Sequence, residues 1–152
     1  MPTYSCFIAK GKLKPEQKKE LADCLATVYH EVFGLQRYMT QVIFHELATD
    51  DRYIGGHPVP SDVIWIRCDV REGRSEEQKA KLLHRIQDVV AKIGTVPRES
   101  VWIYFDDLPP MNIMEWGHIM PHLRAMPAFP ENDTTWFDEL SEPYKERLRA
   151  LA

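Results

Sequence analysis

The chain has 152 residues, 44 % hydrophobic and 28 % charged, with a formal net charge of −4 when histidine is neutral. That is enough chain for a single domain, 1–152, with a real core. The acidic balance argues against non-specific binding to nucleic acid or to anionic membranes.

No window of about 18 apolar residues exists to span a bilayer. The start has no basic stretch followed by an apolar run, so no secretory leader is expected. Cys6, Cys24 and Cys68 are odd in number and widely spaced. They read as small hydrophobes in a reducing, cytoplasmic setting, not as a metal or redox motif.

The chain opens on Met1-Pro2. Removal of the methionine ahead of this small residue leaves Pro2 as a free secondary amine. Such an amine can take a proton, give one, or attack a carbonyl. The alternative is a proline present at position 2 by chance.

Thr3 to Ala9 is rich in β-favouring residues and reads as a first strand. Pro15 suits a first helical turn, Leu21, Leu25, Val28 and Val32 form one helical stripe, and Gly34 is a natural stop. Tyr38 to Glu46 reads as a second strand, Asp50 to Pro60 as a loop, and Asp62 to Val70 as a third strand. Ser75 to Gly94 is a second helix, with Ser75 as N-cap and Leu82, Ile86, Val89 and Ile93 as its stripe. Ser100 to Asp106 reads as a fourth strand. Pro109-Pro110 ends it. Asn112 to His118 is expected to be a short helix carrying Glu115, and Trp136 to Leu151 a final helix interrupted at Pro143.

The order strand–helix–strand occurs twice, and the halves match in sequence. Glu16-Gln17-Lys18 recurs as Glu77-Gln78-Lys79, a shift of 77 − 16 = 61. At the same shift Leu21 meets Leu82, Val28 meets Val89, Phe44 meets Phe105 and Leu47 meets Leu108. A constant register through helix and strand indicates a duplicated βαβ unit. The expected fold is therefore α/β (α+β): a four-stranded mixed sheet with two helices on one face. Repeat one spans about 2–60, repeat two about 62–110, and a C-terminal helical tail about 111–152. The uncovered sheet face calls for burial by oligomerisation.

Each unit needs parallel strands and a right-handed crossover. A pseudo-twofold axis then sets the first strands of the two units antiparallel at the sheet centre. This places Pro2 near Val70, Arg71 and Arg74, with Tyr104 also within reach. Arg71 and Arg74 ahead of a helix suit a small carboxylate, because guanidinium is a fixed bidentate donor and the helix end adds positive potential. The alternative is a solvated turn. Glu115 among Met111, Ile113, Met114 and Trp116 can serve as acid or base, or be an exposed glutamate. Tyr104 can equally be a packing residue.

His118 and His122 flank Pro121 with no third ligand apparent, so no metal is expected. There is no Gly-rich phosphate loop, Ser-centred elbow or CxxC pair. Strand three lacks the pattern of an RNA-binding sheet.

These stretches resemble the tautomerase superfamily, and within it the cis-3-chloroacrylic acid dehalogenase group. The resemblance rests on Met1-Pro2 with Tyr4, Gln41-Val42 with Phe44, and Arg71-Glu72-Gly73-Arg74-Ser75. It also rests on Trp102 with Tyr104-Phe105, on Glu115 before an aromatic and Gly117, and on Trp136-Phe137-Asp138. It implies a homotrimer with Pro2 as catalytic amine, Arg71 and Arg74 as carboxylate binders, and Tyr104 with Glu115 handling water.

The group carries a histidine late in the first helix. In ungapped register Tyr29 stands there, at the edge of the core stripe, with His30 pointing away from it. Tyr29 is thus a candidate substrate contact, and tautomerisation is expected to be better kept than dehalogenation. The implied enzyme acts on a small unsaturated or 2-oxo carboxylate without cofactor or metal. It would tautomerise that substrate, add water to it, or release halide through water addition. The alternatives are a binding or signalling module with a vestigial site and a structural oligomerisation domain.

Overall fold

The computed structural model describes residues 1–115, 117–119 and 142–150. Strand β1 (Thr3–Ala9) buries Tyr4, Cys6 and Ile8 on one face, the period of two that a half-covered strand requires. Helix α1 (Pro15–Phe33) starts on Pro15, and the Lys14 amide donates to Gln17 Oε1 at 3.0 Å. Gly34, at φ 74°, ends the helix with its N–H on the His30 carbonyl at 2.7 Å. The buried face of α1 is Leu21, Leu25, Val28 and Tyr29. The fourth core position is thus Tyr29, and Val32 is only half-buried.

Strand β2 is Gln41–Leu47, β5 is Ile64–Arg71 and β6 is Val101–Leu108. With β1 they form one sheet in the order β2-β1-β5-β6. β1 runs parallel to β2 and antiparallel to β5, while β5 runs parallel to β6. Helix α2 (Glu76–Gly94) is capped by Ser75, whose Oγ accepts from the Gln78 amide at 3.2 Å while Gln78 Oε1 accepts from the Ser75 amide at 3.1 Å. The two helices pack on each other and on the buried side chains of β1 and β5 as one apolar core.

The duplication runs further than the strands and helices. Each element of the first repeat recurs in the second, β1 as β5 at a shift of 62 and the others at a shift of 61. Helix α1 recurs as α2, and the 3-10 turns Arg37–Met39 and Thr49–Asp51 recur as Arg98–Ser100 and Pro110–Asn112. The hairpin of β3 (Tyr53–Ile54) and β4 (His57–Pro58) recurs as β7 (Met114–Glu115) and β8 (His118–Ile119). Side-chain contacts follow suit: Lys18 lies 5.9 Å from the Phe44 ring centroid and Lys79 lies 5.7 Å from that of Phe105. The second repeat therefore continues past 110, to Ile119.

Three local expectations are corrected. β2 begins at Gln41, not Tyr38, because Arg37–Met39 forms a 3-10 turn closed by the Thr40 N–H on the Arg37 carbonyl. The loop between Asp50 and Pro60 contains the β3–β4 hairpin, turned at Gly55-Gly56. The expected helix over 112–118 does not form. Pro110 starts a single 3-10 turn, and Gly117, at φ 86°, lies between the strands of a hairpin. Too few residues remain between these punctuations for a helix to nucleate. The final helix, α3 (Glu142–Arg149), has Pro143 in its first turn, where proline costs little. The earlier part of that expected helix, with Trp136, Phe137 and Asp138, lies outside the described residues, as does His122.

The sheet face away from α1 and α2 carries an aromatic row. Phe7 stacks between His45 and Trp65 at centroid distances of 4.5 and 4.4 Å, and Trp65 meets Tyr104 edge-on at 5.4 Å. Trp102 and Tyr104 are 39 % and 56 % exposed in the single chain. No helix among the described residues is long and apolar enough to cross a membrane.

Candidate active site

The antiparallel pairing of β1 with β5 decides where the chain begins. Thr3 pairs with Asp69, so Pro2 is level with Val70 and Met1 with Arg71. Pro2 is buried, and its carbonyl accepts from the Gln41 amide at 3.0 Å. The Met1 amine forms an ion pair with the Glu115 carboxylate, both groups being largely shielded from water. Burial holds that amine below the usual pKa of a chain-terminal amine, and Arg71 adds to the lowering, while Glu115 acts in the opposite direction. The Pro2 nitrogen is one residue further in.

Arg71 ends β5 and Arg74 precedes the cap of α2, with Gly73 between them at φ 110°. That left-handed turn is open to glycine and lets both guanidiniums belong to one site. Burial and the neighbouring Arg74 charge lower the Arg71 pKa, while Tyr29 and Glu115 oppose them. Arg74 hydrogen-bonds the Tyr29 phenol, and its Cζ lies 4.7 Å from the Phe33 ring centroid. Its Nε–H is buried and has no hydrogen-bond partner among the described residues.

Tyr29 is only 1 % exposed, deeper than a place at the stripe's edge implies. Burial raises its pKa, and Arg74 and Arg71 pull it back. The phenol is therefore neutral near pH 7 and faces the arginines. His30 is exposed, its Nδ1 2.9 Å from the Leu35 carbonyl, as expected for a residue off the core stripe.

Pro2, Arg71, Arg74, Tyr29 and Glu115 thus gather at one end of the sheet, with Glu115 delivered by the β7 strand of a hairpin. Tyr104 does not join them within the chain. It pairs with Arg67, four residues before Arg71, which at about 3.3 Å per residue is about 13 Å short of that end. Phe33 went unnoticed in the sequence. Its place just before the helix-stopping Gly34 was visible, but its contact with Arg74 arises only from the packing of α1 against the lead into α2. No group of three or more possible metal ligands occurs among the described residues.

The pseudo-twofold partner of this site, at the other end of the sheet, has different chemistry. By strand register Ile64 stands for Pro2 and Ala9 for Arg71, and at the shift of 61 Leu13 stands for Arg74, Ile54 for Glu115 and Val90 for Tyr29.

A duplicated βαβ sheet of this order places the chain in a class of small isomerase-like enzymes. The chain belongs to the tautomerase superfamily: the model of the family described as "Putative oxalocrotonate tautomerase enzyme" matches residues 1–138. The solved structure of N1, described as a member of the cis-3-chloroacrylic acid dehalogenase family, is 30 % identical with a TM-score of 0.82, over 97 % of this chain and 99 % of that one. A fused 4-OT, solved as an asymmetric trimer, shares the fold at 21 % identity and a TM-score of 0.72, over 77 % of this chain and 94 % of the other. A "Probable tautomerase" of Streptococcus thermophilus is 36 % identical over 45 residues, 30 % of this chain and 74 % of the relative. Those figures put the relative at about 61 residues, the length of one repeat here.

Proposed function

We propose that this chain is a tautomerase-like enzyme that uses Pro2, freed by removal of Met1, on a small unsaturated or 2-oxo carboxylate. The observation that carries the reading is the convergence of Arg71, Arg74 and Glu115 on the start of β1. The arginines take the substrate carboxylate by charge-assisted hydrogen bonds. With an enol, the neutral Pro2 amine removes the hydroxyl proton, and its conjugate acid returns a proton to the adjacent carbon. With an unsaturated acid, protonated Pro2 donates to the carbon next to the carboxylate. Glu115 takes a proton from water held by Tyr104 as the water oxygen adds at the far carbon; where that carbon bears halide, the product then loses its hydroxyl proton and the halide to leave an aldehyde.

In this reading Tyr104 comes from a neighbouring subunit. Its exposure, its distance from Pro2 within the chain, and the exposed aromatic row support a homotrimer packed through the open sheet face. The trimers of fused 4-OT relatives support it too.

The test is ketonisation of phenylenolpyruvate, followed by loss of the enol absorbance. Processed protein is expected to be active, and Pro2→Ala to lose most of the rate. A wild-type rate no faster than buffer catalysis rules the reading out.

A further inference from the structure

Arg74 is held by more than its loop. The last turn of α1 presents Phe33 immediately before Gly34, and the Arg74 guanidinium lies over that ring. Phe33 is itself braced: its ring meets Tyr29 at 4.7 Å and 62°, and Tyr29 meets Tyr4 of β1 at 6.4 Å and 79°. A row of three rings thus runs from the sheet to the guanidinium. The α1 C-terminus adds negative partial charge beside the cation. A guanidinium held over a ring face keeps N–H groups for hydrogen bonds with other partners. One such group, the Nε–H, is buried and has no partner among the described residues, a state that an incoming acceptor relieves.

The other repeat supplies an internal control. At the shift of 61, Tyr29 becomes Val90, Phe33 becomes Gly94 and Arg74 becomes Leu13. Gly94 has no room for a side chain: a Cβ there would lie 2.9 Å from Ile64 Cδ1. The ring platform and the arginine are present together at one end of the molecule and absent together at the other.

We propose that Phe33 is a positioning residue, whose ring fixes the Arg74 guanidinium so that its Nε–H is kept for the substrate carboxylate. The inference rests on the reading of the site as a carboxylate-acting enzyme. It is tested by Phe33→Leu, made both in the wild type and in Arg74→Ala, with phenylenolpyruvate as the probe. In the wild-type background KM should rise about two- to thirtyfold, the range of a partly desolvated cation–π contact, with kcat kept within about twofold. In the Arg74→Ala background no further rise is expected, because the group positioned is already gone.

Equal rises in both backgrounds, an unchanged KM, or a loss confined to kcat would overturn the proposal. If Phe33→Leu does not fold, Phe33→Met, which also removes the ring, takes its place under the same criteria. A wild type that does not convert phenylenolpyruvate refutes the enzymatic reading, and this inference with it. An active wild type indifferent to Phe33 refutes this inference alone.

Discussion

Tyr29→Phe removes one oxygen from the interior and separates two roles for that residue. The phenol is almost wholly buried and is hydrogen-bonded by Arg74. A hydrogen bond to a charged group contributes about 1.5–3 kcal/mol. Part of that is offset, since the variant no longer buries a hydroxyl and Arg74 keeps its stack on Phe33 and some access to water. The expected net loss is about 1–2 kcal/mol. For a chain of this size that lowers Tm by about 2–8 °C, and urea unfolding should show a lower midpoint at unchanged slope. The same loosening of Arg74 should raise KM for a small carboxylate about five- to thirtyfold.

The pH dependence has a definite sign. The folded-state pKa of Tyr29 lies above its ordinary value of 10.0 because of burial. The stability of the neutral phenol is therefore complete below about pH 10 and is lost as pH rises through the folded value. Wild-type Tm should fall more steeply than that of Tyr29→Phe in this alkaline range. Tyr29→His is not expected to supply a cation at pH 7, because burial and two guanidiniums all favour the neutral imidazole. Equal stability and equal KM in wild type and Tyr29→Phe would show that the phenol does not hold Arg74.

Three further outcomes are expected. Intact mass of protein from its native host should show loss of Met1, and a preparation that retains Met1 should be inactive, because its Pro2 nitrogen is an amide. Arg71→Ala and Arg74→Ala should each weaken carboxylate binding by about 1.5–3 kcal/mol, and lysine at either position should restore only part, lacking the planar fork; calorimetry with phenylpyruvate reads this directly. Glu115 raises the pKa of the Met1 amine in the unprocessed chain, and by the same attraction Glu115→Gln should move the Pro2-dependent limb of the pH–rate profile of processed protein to lower pH; an unmoved limb would show that Glu115 does not act on Pro2.

Much of this site could be read from the chain because a duplication converts sequence register into geometry. The pair Glu16-Gln17-Lys18 and Glu77-Gln78-Lys79 defines the shift, the shift implies a pseudo-twofold axis, and the axis brings Pro2 beside Arg71. What escaped depends on contacts that no periodicity encodes. Apolar residues around Glu115 suggested a helix, but Gly117 and Pro110 leave no length for one. The same shift matches Gly56-His57 with Gly117-His118, so the two segments were marked as the same local structure, though not as hairpins. Helical angles placed Tyr29 at an edge, whereas the packing of α1 on β1 puts its ring against Tyr4. The parallel run of β6 was foreseeable. Its register was not, and four residues of register separate Tyr104 from the rest.

Covalent continuity has a chemical consequence at the silent end of the molecule. A relative one repeat long supplies an amino terminus with every copy. When two repeats share one chain, the second loses its terminus to a peptide bond. At the position matching Pro2 by strand register, the Ile64 nitrogen is such an amide. An amide nitrogen has no basic lone pair, so the amine chemistry proposed for Pro2 cannot operate there whatever side chains surround it. Fusion halves the number of amino termini through connectivity alone.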